Sequence, residues 1–227
     1  MVGTLALIGG GEFTPPCAAF DAVLLERAAA SEVLVLPTAA AFEHPDRVVT
    51  RAAEHFASWG ATTRPLNVLH RSEAEDADIA AQIGAARFIY ITDGSPLHLR
   101  GVLKDSAVMT SIRAAWEDGA VLAASGAGAT VLCDPMVDPR GGAYTVGIGL
   151  VDGLAVFPYH GATAEHLRQR SLDLLASHAI LVGIDEATAL IRDPDGSWQA
   201  RGAGVVTEYQ DGIAQVFADG ERLDLAR

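Results

Sequence analysis

Ser125 and His160 are the residues of this chain whose types could do nucleophilic chemistry together. A hydroxyl, an imidazole and a carboxylate behind the imidazole are the parts of a serine hydrolase. Carboxylates stand ready: Glu12, Asp93, Asp185 and Glu186 each come shortly after a short apolar run. The turn Ser125-Gly126-Ala127-Gly128-Ala129 joins the apolar run Val121–Ala124 to a second apolar stretch, Thr130–Cys133, stopped near Asp134-Pro135. A buried strand, a sharp small-residue turn and a helix start make the geometry of a nucleophile elbow. Free backbone N–H groups at such a helix start suit an oxyanion or a carboxylate. The same small residues also serve plain packing of a helix close on a sheet.

Elements must bring these residues together. Thr4–Ile8, Val33–Leu36, Phe88–Ile91 and Val121–Ala124 are charge-free apolar runs, the pattern of strands buried on both faces. Thr63–Leu69 reads as one more strand. Helices are predicted at Cys17–Ala30, His44–Trp59, Glu73–Ile83, Leu97–Leu103 and Ala107–Asp118. Strand and helix alternate, which implies a doubly wound, mostly parallel α/β sheet in three layers. After the turn cluster Asp138–Gly142 come a strand at Leu154–Phe157, a helix at Ala164–Ser177 and a strand at Ile180–Ile184. Short strands at Ala189–Ile191, Gly204–Thr207 and Ile213–Phe217 follow, with hairpin signals at Asp195-Gly196, Asp211-Gly212 and Asp219-Gly220. The chain therefore finishes as an antiparallel β extension. Residues 1–227 show no linker and no repeat, so one domain is expected.

Glu12, Thr38, Asp93, Ser95, Ser125, His160, Asp185 and Glu186 all fall just past predicted strand ends. In open parallel sheets the ligand crevice lies outside those ends. Each residue also has a plain structural role open to it: His160 can bond a loop carbonyl, Asp93 can shape a turn, Glu186 can satisfy amides. Their clustering favours a site.

Half of the residues are hydrophobic, enough for a sizeable core. Sixteen Lys and Arg stand against 29 Asp and Glu, a net charge of −13. That balance argues against unaided binding to nucleic acid or a membrane surface. Cys17 and Cys133 fit no metal or redox spacing, and both fall in predicted helices as buried thiols. The seven histidines are scattered, so no metal site and no cofactor are expected. No signal-peptide pattern and no membrane-spanning run is seen, and a cytoplasmic location is the default expectation.

The motifs together resemble the cyanophycinase and dipeptidase E (aspartyl dipeptidase) family of serine peptidases. Ile8-Gly9-Gly10-Gly11-Glu12 is similar to that family's first-strand turn, and Leu36-Pro37-Thr38-Ala39 to its second-strand end. Phe88–Leu103 resembles its strand, Gly-Gly-Asn-Gln turn and helix, and Val182–Ala189 is close to its Gly-Ile-Asp-Glu segment. The resemblance spans the chain in order and implies a class I glutamine amidotransferase-like fold. It breaks at the catalytic motif. The family elbow reads Gly-Thr-Ser-Ala-Gly-Ala; here the matching residues are Ala124-Ser125-Gly126-Ala127-Gly128-Ala129. Gly126 stands at the nucleophile position, and Asp93-Gly94-Ser95-Pro96 replaces the Gly-Gly-Asn-Gln turn. The resemblance implies an oxyanion role for Gly94 and matches His160 to the catalytic histidine, with Arg168 and Arg170 following it. Asp134 and Asp138 are candidates for the third triad member by position alone.

Two functions follow as expectations. The first is a relative without serine peptidase chemistry that binds a small peptide or acidic amino-acid-like ligand, in a pocket of Glu12, Asp93, Gly94, Ser95, Gly126, Ala127, Asp185 and Glu186. The second is an active serine hydrolase using Ser125 with His160, whose hydroxyl and ring should then lie within hydrogen-bond reach. Water-based hydrolysis with His160 as base and a purely structural dimerisation module are further alternatives; a homodimer is left open. The elbow reading also predicts a positive φ at Gly126.

Overall fold

A computed structural model describes residues 1–138, 140–176 and 179–225 of the chain. Five parallel strands carry its central sheet: β1 (Leu5–Ile8), β2 (Glu32–Leu36), β3 (Thr62–Pro65), β4 (Phe88–Ile91) and β5 (Val121–Ser125). They lie in the order β1-β5-β4-β2-β3. Three antiparallel strands, Thr188–Arg192, Trp198–Gly202 and Arg222–Leu223, continue the sheet beyond β1 and bring it to eight.

The charge-free runs are explained by what covers them. Alternate residues of each strand point to opposite faces. Leu5, Leu7, Leu34, Leu36, Ile89, Ile91, Leu122 and Ala124 join one apolar cluster. Helices Pro96–Leu103 and Ala107–Glu117 close that face through Leu99, Val102, Leu103, Val108 and Ile112. Ala6, Ile8, Val33, Val35, Phe88, Tyr90, Val121 and Ala123 join a second cluster. Phe20 and Leu24 of helix Ala18–Ala28 and Phe56 of helix Pro45–Ala57 cover it. Both faces are therefore dry, and each large side chain so buried contributes about 1.5–3 kcal/mol. The four runs expected to be buried on both faces are the interior strands β1, β2, β4 and β5.

The antiparallel extension is shared between two sheets. Leu154–Pro158 pairs parallel with Ile180–Ile184, and Val206–Gln210 and Ile213–Phe217 add antiparallel strands to form a separate four-stranded sheet. Asp211 and Gly212, both at positive φ, make the two-residue hairpin loop.

Several expectations need correction. The Thr63–Leu69 strand ends at Pro65, whose ring nitrogen cannot donate to a ladder. The Glu73–Ile83 helix is two short helices, Arg71–Ala74 and Ala77–Ala81; Asp76 caps the second by accepting from Asp78 N and Ile79 N. Cys133 lies in the two-residue strand Cys133–Asp134. Cys17 closes a 3-10 turn at the start of its helix. The helix of Ala164–Ser177 runs from Glu165 to Leu174, and Ser177 lies outside the described residues, as does Pro139 of the predicted turn cluster.

Loop ends of the two sheets are stitched to one another by backbone bonds. Tyr159 N donates to Gly9 O at 2.8 Å, Ala187 N to Gly10 O at 2.9 Å, and Gly126 N to Ile8 O at 2.9 Å. Through these contacts the turn after β1 touches the elbow and the loops carrying His160 and Glu186. No helix among the described residues is long and apolar enough to cross a membrane.

Candidate active site

The elbow forms as its sequence predicts. Ser125 ends β5, and helix Ala127–Leu132 begins one residue after Gly126. Gly126 has φ +50 and ψ −107, a backbone that strains any residue with a side chain. Every residue of the short helix is buried, and its first turn packs so closely that a Cβ on Gly128 would stand 3.1 Å from Ile91 Cγ2.

Asp93 dominates this site. Its Oδ1 accepts from Ala127 N at 2.6 Å and from Gly94 N at 2.7 Å. A Cβ built on Gly126 would run into the Asp93 carboxyl group. The carboxylate thus fills the space in which the elbow would present a side chain, and it holds both amides suited to an oxyanion. Its Oδ2 accepts from the Tyr159 hydroxyl at 2.5 Å. Tyr159 can lie there because its ring covers Gly10, where a Cβ would collide with it.

Glu12 supports the same arrangement from below. Its Oε1 accepts from Asp93 N at 3.2 Å and its Oε2 from Ser125 Oγ at 2.8 Å. Burial, and then the nearby Asp93 charge, raise the Glu12 carboxyl above its ordinary value of 4.5. Ser125 is fully buried and spends its hydroxyl on Glu12.

His160 has different partners. Its Nε2 pairs with the Tyr209 hydroxyl at 2.9 Å, and its Nδ1 lies 3.8 Å from Asp185 Oδ1, too long for a direct hydrogen bond. Asp185 Oδ1 is buried without a hydrogen-bond partner, while Oδ2 accepts from Val205 N at 3.1 Å. Burial and then the Arg168 charge hold the imidazole below its ordinary 6.5, against the pull of Asp185 and Glu165. Both effects favour the neutral imidazole, the form a base requires. Arg168 also donates to His160 O at 3.2 Å.

The candidate residues therefore sort into two groups. Glu12, Asp93, Gly94, Ser125, Gly126 and Ala127 form one bonded cluster. His160 and Asp185 lie together in a second group, with no direct hydrogen bond between them. Glu186 is exposed, packed with its side chain over Gly11. Ser95 caps helix Pro96–Leu103 by accepting from His98 N at 3.4 Å. Asp138 pairs with Arg140, and Asp134 accepts from Gly147 N, so neither makes a bond to His160. Two residues were missed. Tyr159 lies beside His160 past a strand end, so the rule that found His160 could have found it. Tyr209 sits in the antiparallel extension and has no local signal.

Among the described residues, no group of three or more His, Cys, Asp or Glu is placed to hold a metal ion. Burial pushes the Cys17 thiol up to about 11, which leaves it protonated and poorly nucleophilic at neutral pH. A cleft of about 540 Å³ lined by Asp134, Asp152, Leu154, Ile180 and Trp198 lies at the opposite ends of the strands that carry His160 and Asp185. Of the candidate residues it contains Asp134 alone, away from the elbow and from His160.

Comparison with known proteins gives a consistent setting. The family model described as peptidase family S51 matches residues 5–197. A cyanophycinase from Trichormus variabilis is 31% identical over 193 residues, which is 80% of this chain and 64% of the relative. The chain thus spans less than two thirds of that relative's length. A cyanophycinase from Synechococcus elongatus is 25% identical, over 90% of this chain and 67% of the relative. The crystal structure of a peptidase from an acI-B1 Actinobacterium superposes with a TM-score of 0.88 at 28% identity, covering 99% of this chain and 98% of that one. A putative peptidase E from Listeria monocytogenes shares the fold, with a TM-score of 0.63 at 15% identity over 99% of this chain and 100% of the other.

Proposed function

Because the chain belongs to peptidase family S51, we propose that it retains the family's strand-end pocket for a short peptide or amino-acid-like ligand but does not run serine peptidase chemistry. One observation carries this reading: the Asp93 carboxylate stands in the space of an elbow side chain and occupies the amides of Gly94 and Ala127. Acyl transfer needs a nucleophile at that point and free donors for the oxyanion. Gly126 supplies no nucleophile. Ser125 is buried and bonded to Glu12, and His160 is bonded to Tyr209, so no observation favours a Ser125–His160 pair. Removing a serine nucleophile costs on the order of 10⁶ in turnover in a well-studied protease.

An acidic ligand meets Asp93 where it would otherwise meet open amides. Weak binding is therefore expected, tightening when Asp93 is replaced by Asn. The test is direct. Purified protein is incubated with Asp-X dipeptides, with cyanophycin and with a fluorophosphonate probe. No turnover and no labelling are expected. Turnover or labelling that vanishes in Ser125→Ala would overturn the reading and establish a serine hydrolase.

A further inference from the structure

The two elbow amides wait, in a serine hydrolase, for the carbonyl oxygen of a substrate. Here they already hold an oxygen, and it belongs to the protein. Asp93 Oδ1 lies 2.6 Å from Ala127 N and 2.7 Å from Gly94 N. The carbon whose developing oxyanion these donors can stabilise is therefore Asp93 Cγ itself. The carboxylate is also only half-buried, and Gly126 puts no side chain beside it. On its other oxygen stands the Tyr159 hydroxyl, 2.5 Å from Oδ2. Tyr159 is held at φ +52, a costly backbone for a bulky residue, directly before His160. The backbone of Asp93 is pinned by the buried Glu12. Carboxylates in this state, fixed and half-dry, are known nucleophiles in enzyme chemistry.

We propose that Asp93 is a carboxylate nucleophile standing in for the absent elbow hydroxyl, and that its substrate class is a small molecule with an electrophilic saturated carbon, an epoxide above all. The proposal rests on the loss of the serine route argued above. An epoxide is favoured because it uses both groups present: a nucleophile at Oδ2 and a phenol beside it. In the first step an Oδ2 lone pair forms a bond to a ring carbon. The ring C–O bond breaks, its electron pair stays on the ring oxygen, and that oxygen takes the Tyr159 proton. The products are a hydroxyalkyl ester of Asp93 and the Tyr159 phenolate. In the second step water adds to Cγ and gives one proton to the phenolate. The negative charge forms on Oδ1, held by the N–H groups of Gly94 and Ala127. Collapse breaks the ester C–O bond, the acid proton passes to the departing alkoxide, and a diol leaves. Asp93 and Tyr159 return to their starting states. The Asp93 charge is one of the causes that raise the Tyr159 pKa, after burial, so ester formation removes an obstacle to the phenol's release of its proton.

The test uses the full chain and an aryl glycidyl ether as probe, in heavy-oxygen water. Two outcomes support the proposal: the Asp93 peptide gains the whole mass of the probe, or it gains heavy oxygen after turnover. Asp93→Asn, checked for folding by circular dichroism, is expected to lose both. Tyr159→Phe is expected to slow epoxide reaction on the order of 10²-fold, the usual worth of a general acid. Alkylation of the Asp93 peptide by a primary alkyl iodide of the same skeleton, read as mass gained, should be slowed far less than epoxide opening, because departing iodide needs no proton. No modification of the Asp93 peptide, modification elsewhere, or equal modification in Asp93→Asn overturns the proposal. These outcomes are separate from fluorophosphonate labelling, which bears on the serine route alone.

Discussion

The elbow half of the site and the histidine half are built to different tolerances. In the elbow half nearly every polar group is spoken for. Asp93 takes three hydrogen bonds on its two oxygens, and Glu12 takes one on each. In the histidine half the Nδ1–Oδ1 separation is 3.8 Å and Asp185 Oδ1 has no hydrogen-bond partner. The first half is carried by β1, β4 and β5, neighbouring parallel strands in the middle of the eight-stranded sheet. The second is carried by the smaller sheet and its antiparallel strands. Central strands fixed from both sides permit a tight cluster, while loops between sheets leave slack that a ligand or water can take up. Fully satisfied polar networks rigidify, and partly satisfied ones yield.

The largest effect should come from attacking the tight half at its crowded point. Gly126→Ser forces a side chain onto the Asp93 carboxylate and imposes φ +50 on a non-glycine residue. The backbone alone costs about 1–3 kcal/mol, and melting should fall by about 2–4 °C for each kcal/mol. Asp93→Gly with Gly126→Ser should recover part of that loss, with a coupling of about 1–3 kcal/mol in a thermal-melt double-mutant cycle. Strict additivity would show that the two residues are not a matched pair.

Glu12 comes next. Glu12→Ala strands the buried Ser125 hydroxyl, at a cost of about 1–3 kcal/mol in denaturant unfolding. Glu12→Gln keeps one acceptor, for Asp93 N, turns an amide donor toward the Ser125 hydroxyl, which can accept from it, and cannot ionise. The Glu12 carboxyl titrates higher in the fold than in the unfolded chain. Its contribution therefore favours the fold below its ordinary 4.5 and is lost as pH rises through the folded value. The stability difference, Glu12→Gln minus wild type, should grow as pH is raised across that window. A flat difference would contradict the raised pKa.

Smaller effects are expected in the slack half. Tyr209→Phe removes the partner of His160 Nε2 and should cost about 1 kcal/mol, read by chemical denaturation. The imidazole titrates below its ordinary 6.5, so the fold disfavours its charged form. Its contribution is complete above pH 6.5 and declines as pH falls from there toward the folded pKa.

The smallest effects are shifts of that titration, followed by NMR. Arg168→Gln removes a like charge and should raise the His160 pKa. Asp185→Asn removes an opposite charge and should lower it. Shifts in the same direction would refute the assigned causes.

Much of the fold was legible because it rests on local chemistry. Short charge-free runs such as Phe88–Ile91, bounded by turn residues, read as strands covered on both faces, and this one is. The turn Ser125–Ala129 announces a tight strand-to-helix passage, and Gly126 has the expected positive φ. Failures arose where a boundary depended on one bond or one neighbour. Pro65 ended a strand that continues in hydropathy alone, and Asp76 restarted a helix that periodicity would run through. The division of the last strands between two sheets has no local signature, since nothing within Thr188–Arg192 or Val206–Gln210 names the strand each pairs with.

For the site, the sequence by itself determined the cast and the missing side chain. Glu12, Asp93 and His160 fall past strand ends, and Ser125 at one, because parallel strands deliver their C-terminal loops to one edge. Gly126 has no atom with which to attack. Tertiary structure alone decided who meets whom. Ser125 turned to Glu12, His160 to Tyr209, and Asp93 to the amides of Gly94 and Ala127. The reason is geometric. Groups 113 positions apart (Ser125 and Glu12) and 34 apart (Ala127 and Asp93) are brought within 3 Å only by sheet order and register, and no spacing along the chain encodes a hydrogen bond between strands.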